Sequence, residues 1–141
     1  MTDEPASSAA EAPHQSQLKA VRHSLLHLHK TLMDSERTAY EAVFGKVTSN
    51  QRFLELLLKD PWFAWLHAIS ELIVLIDEAM EAEDPPLSPA DAAKLTEQVR
   101  SLLKTSETGI GFEKQYFDAL QRDPDVVLAH AEVAKLLKAK K

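Results

Sequence analysis

Apolar residues first recur with a regular spacing at Leu18, Val21, Leu25, Leu28 and Leu32, and resume at Ala39 and Val43 beyond Ser35. Steps of three and four place all of them on one face of a helix. The pattern predicts one long amphipathic helix over residues 15–47. Lys30–Asp34 and Arg37–Glu41 stand four apart on its outer side as opposite charges. Each such pair adds about 0.2–0.5 kcal/mol. Residues 1–14 carry two prolines, three acids and no large apolar side chain beyond Met1. Burial there cannot offset the entropy of ordering, so a disordered tail is expected ahead of a single domain over 15–141.

A second helix is expected after Thr48, with Thr48 and Gln51 in capping-box register, running to Lys59. Asp60-Pro61 then caps and restarts the chain, because proline lacks the N–H a first helical turn leaves unused. The next segment, over 61–83, is the most apolar. Its stripe is Trp62, Trp65, Leu66, Ile69, Leu72, Ile73, Ile76 and Met80, with Phe63, Val74 and Leu75 off it. Asp84-Pro85-Pro86 ends that segment, and Ser88-Pro89-Ala90-Asp91 reads as a helix start. Leu95, Val99, Leu102 and Leu103 supply the following stripe. Residues 105–111 are loop by composition. A last helical region over 112–138 is broken at Asp123-Pro124.

Four long rods with short connections favour antiparallel neighbours. The predicted fold is therefore all-α, an up-down four-helix bundle with two rods interrupted at Asp-Pro steps. The two breaks share a local pattern. Asp60-Pro61 precedes His67-Ala68, and Asp123-Pro124 precedes His130-Ala131, at one offset. A duplicated helical hairpin would leave such a trace, although Asp-Pro is also a common helix start.

Composition narrows the chemistry. The chain has no cysteine, which excludes disulfides, thiolate metal sites and a thiol nucleophile. Its net charge of −6 disfavours a general nucleic-acid surface. Lys135, Lys138, Lys140 and Lys141 form a basic end, where cations complement a helix dipole. The acidic start carries no apolar run of the kind a secretory signal needs, and no run approaches a membrane span. A cytoplasmic protein without a membrane contact is the expectation.

Phosphate-loop, dinucleotide-fold, HExxH and nucleophile-elbow patterns are all missing from the sequence. His23 and His27 stand four apart but face away from the Leu25–Leu32 stripe, as His67 and Glu71 face away from theirs. Polar residues at core positions matter more. His29 and Glu36 fall within the apolar face of the first helix, Asp77 flanks the stripe of the third segment, and His130 edges that of the last. Inward His, Glu and Asp on facing helices are how bundles build metal or acid–base centres. Satisfied core hydrogen bonding is the competing reading.

The residues support two functions as expectations. The preferred one is a non-enzymatic helical interaction module, a homodimer or the binder of a protein partner, using off-stripe Phe63 and Val74 and needing no cofactor. The alternative is a bundle holding a metal ion or small cofactor through His29, Glu36, Asp77 and His130.

Overall fold

The computed structural model describes residues 12–139. The expected tail over 1–14 lies outside the described residues up to residue 11, whereas Pro13 and His14 already belong to a helix. The described residues form six α-helices and one 3-10 segment: α1 (Pro13–Phe44), α2 (Asn50–Lys59), the 3-10 turn (Pro61–Leu66), α3 (His67–Glu81), α4 (Pro89–Leu102), α5 (Phe112–Arg122) and α6 (Pro124–Ala139). The described residues form no strand; their one β-type contact is an isolated bridge between Glu83 and Pro86. None of their helices is long and apolar enough to cross a membrane.

α1 is the axis of the molecule. It packs most extensively on α6, and also touches α3, α4, α5 and the 3-10 turn. Its Leu18, Val21, Leu25, Leu28 and Leu32 are all fully buried, so the stripe read from spacing is the core face. Beyond Leu32 the buried face is polar, with Ser35 and Glu36 in place of the expected Ala39 and Val43; Val43 is exposed. Hydrogen bonds set the directions. Gln17 donates to the Leu136 carbonyl at 2.9 Å, and Arg122, just before α6, reaches Glu36 at 2.7 Å, so α6 runs antiparallel to α1. Arg22 pairs with Asp77 near the far end of α3, while His29 meets the Leu66 carbonyl before α3 begins. α3 is therefore antiparallel to α1 as well. Helices organised about one long member describe the bundle.

Local chemistry explains the breaks. Gly45 ends α1 at φ 97°, a conformation that costs a side-chain-bearing residue steric strain. The cap of α2 is Ser49 and not Thr48: its hydroxyl accepts from Arg52 N at 3.1 Å. Ser88 caps α4 as read from the sequence, accepting from Asp91 N at 3.1 Å. The two Asp-Pro steps do share their cap. Asp60 accepts from Trp62 N and Asp123 from Asp125 N, both at 2.9 Å. The elements beyond the two caps differ, with a 3-10 turn after Asp60 and an α-helix after Asp123.

That 3-10 turn takes Phe63 to the interior, one of the two places its off-stripe position leaves open, an interface being the other. With three residues per turn, positions i and i+3 eclipse, so Phe63 and Leu66 point the same way, at 0% and 2% exposure. Phe63 is core. It meets Tyr40 at 5.5 Å and Phe53 at 5.7 Å between ring centroids. Trp62 and Trp65, expected on the stripe, are only partly buried, and their indole N–H groups have no acceptor among the described residues.

Candidate functional site

α2 is the least embedded helix. Leu56, at 3% exposure, is its one buried residue, and among the other described elements the helix backbone approaches only the 3-10 turn. Two clasps hold its ends. Arg37 donates to the Val47 carbonyl at 2.7 Å, and Glu41 accepts from Val47 N at 2.9 Å, which fixes the connection from α1. The donation from Val47, with Arg37 beside it, holds the Glu41 carboxyl below its ordinary range. At the other end His67 Nε2 lies 2.8 Å from the Leu57 carbonyl.

Between these clasps α2 stands off from α1 and leaves an open groove of about 1000 Å³. Leu26 and Met33 of α1 and Phe53, Leu54 and Leu57 of α2 give it an apolar lining. His23, His27, His29, Lys30, Asp34 and Arg37 edge it along α1, Asn50 lies at the start of α2, and Glu132 of α6 closes the far side. The α1 positions repeat at helical spacing from 23 to 37, so the trough follows one helix face for about 21 Å. Leu54 is 55% exposed and Leu26 37% exposed, although each lines the groove. Fixed charges on the rim balance: Lys30 is paired with Asp34 at 3.1 Å and Arg37 with Glu41 at 3.3 Å.

No protein-family model, curated protein or solved structure matches this chain. The reading of the site therefore rests on its own geometry.

The four inward polar residues do face inward or half inward, each toward a different partner. Glu36 is buried and accepts from Arg122 of α5 at 2.7 Å; the same guanidinium nitrogen reaches Ser35 Oγ at 3.0 Å. Asp77 pairs with Arg22 of α1. His29 sits against the Leu66 carbonyl, and burial holds its imidazole below the usual value of 6.5, helped by nearby His67. His130 Nδ1 lies 2.6 Å from the hydroxyl of Tyr116 on α5. Among the described residues no three His, Asp or Glu side chains gather closely enough to hold a metal ion. Of the two residues picked for an interface, Phe63 is buried inside the chain and Val74 is 52% exposed on α3, beside Leu75.

Spacing alone assigns the groove-lining leucines no role. Leu54 and Leu58 stand four apart and are both exposed, a pattern that by itself reads as a stripe facing the core. The partners Arg22 and Arg122 lie 55 and 86 positions from the acids they satisfy. Local sequence carries no signal for such pairs.

Proposed function

We propose that the protein is a non-enzymatic interaction module that receives an amphipathic helix in the groove between α1 and α2. The observation that carries this reading is the groove itself: an open trough along one face of α1, with an apolar strip and polar edges. Helix-in-groove recognition uses such a surface, with apolar anchors at i, i+3, i+4 and i+7. At about 1000 Å³ the groove is at the upper limit of small-molecule pockets and is open along its length. It suits about four helical turns better than a compact ligand. The four candidate ligand groups are each taken up in separate pairs, which supports a binding surface over a buried cofactor centre.

A photo-crosslinking residue placed at Leu54 tests this, with one at Lys94 on α4 as control. Cross-linked product should concentrate at the Leu54 position and vanish when Leu26→Asp is added. Mass spectrometry of the product then separates a second copy of this chain from another protein. Equal yields at both positions, or none at Leu54, would sink the reading.

A further inference from the structure

A second concavity shares no residue with the groove. It lies where the C-terminal part of α4 meets that of α6, at the point where Arg100 Nη2 donates to the Leu137 carbonyl at 2.9 Å. Its volume is about 230 Å³. Leu103, Ala134 and Leu137 form apolar walls, and each ionisable group in the lining is basic: Arg100, Lys104, Lys138 and His130. That is unexpected in a chain of net charge −6.

Helix ends alone do not account for so much positive charge. Each helix C-terminus contributes about half a negative charge, so two of them bring about one. Glu97, paired with Arg100, brings another. Against three fixed cations this leaves a surplus on the order of one positive charge.

His130 adds direction. Tyr116 is fully buried, and burial keeps its phenol protonated far above the ordinary range. Its O–H must be placed on an acceptor, and His130 Nδ1 is its partner among the described residues. Burial also lowers the His130 pKa, which keeps the ring neutral. A neutral imidazole that accepts at Nδ1 carries its proton on Nε2. Nε2 has no partner among the described residues, so the free nitrogen of this pocket-lining residue is a donor. Donor, cations and apolar walls together ask for an anion with a short hydrocarbon tail.

We propose that this pocket binds a small aliphatic monocarboxylate, its oxygens accepting from His130 Nε2–H and from the ammonium groups of Lys104 and Lys138. The tail lies against Leu103, Ala134 and Leu137. The volume equals the room of about eight liquid waters, enough for a tail of about four carbons.

Titration of the isotopically labelled full chain with pentanoate, monitored by NMR, tests the assignment. Saturable shifts are expected at Leu103, Ala134 and the His130 ring, with a Kd on the order of 1 mM. Pentanamide, which has the same tail and no charge, should bind at least about tenfold more weakly, a loss of about 1.4 kcal/mol. The Lys104→Met, Lys138→Met double variant changes only surface side chains and should weaken pentanoate several-fold. Tyr116→Phe should shift the His130 ring nitrogens toward a tautomer mixture and weaken binding as well. Three outcomes would overturn the proposal: no saturable shift, equal shifts with the amide, or inorganic phosphate binding as tightly as pentanoate. The last would make the pocket a general anion patch.

Discussion

Glu36 is the residue at which this core depends most on one distant partner. Its side chain is buried, and Arg122 satisfies it across 86 positions of sequence. Removing one partner of a buried ion pair is costly, because the other charge stays desolvated. Arg122→Met should lower stability in urea by about 2 kcal/mol, a figure reduced from the fully buried case because Arg122 itself is part exposed. Adding Glu36→Leu should restore most of that loss; a double variant no better than the single would refute the pairing. His29 gives a second residue-scale expectation. Its folded pKa lies below the usual 6.5, so the unfolded chain takes up the proton more readily. Its contribution is complete above pH 6.5 and falls away as the pH drops through and below that value. His130 behaves alike. Glu41, also lowered, matters only in the more acid range. Melting temperature should thus fall between pH 7.5 and pH 5, and His29→Gln should reduce the fall. An undiminished fall in that variant would assign the pH dependence elsewhere.

At the scale of elements, helix locations are legible in the sequence and helix faces only in part. Spacing locates α1, α3, α4 and the pair α5–α6 because apolar periodicity and the Ser88, Asp60 and Asp123 caps are local signals. It buries Leu66, Ile69, Leu72, Ile73 and Ile76 correctly but misplaces the first turn of the Trp62 segment, because an Asp-Pro start does not say whether an α or a 3-10 turn comes next. A helical wheel drawn at 3.6 residues per turn puts Phe63 outside, and at 3.0 it goes inside. The stand-off of α2 is equally hidden. Its apolar residues have the periodicity of a packed helix, yet Leu54 and Leu58 face solvent. Sparse burial should show in dynamics. Amide exchange over 50–59 should be faster by several orders of magnitude than over 21–32, when read by mass spectrometry under native conditions. Equal protection would mean that α2 opens only with the whole fold.

The whole molecule is built around contacts that sequence order does not suggest. α1 and α6, the first and last described helices, share the most extensive packing in the fold. Sequence-distant pairing also decides the fate of the inward polar residues: they sit on three helices and face the interior in whole or in part, but each meets a cation, carbonyl or hydroxyl of its own. Neither groove nor pocket is legible in the sequence, since each depends on how far apart two helices settle. The α1–α6 contact also governs how the molecule comes into being. During synthesis, the face bearing Leu25 and Leu28 emerges early and lacks its main cover until Val126, Ala129 and Val133 have been made. The nascent chain therefore carries this apolar face without its main cover until α6 has been made, and the first described helix is captured late by the last.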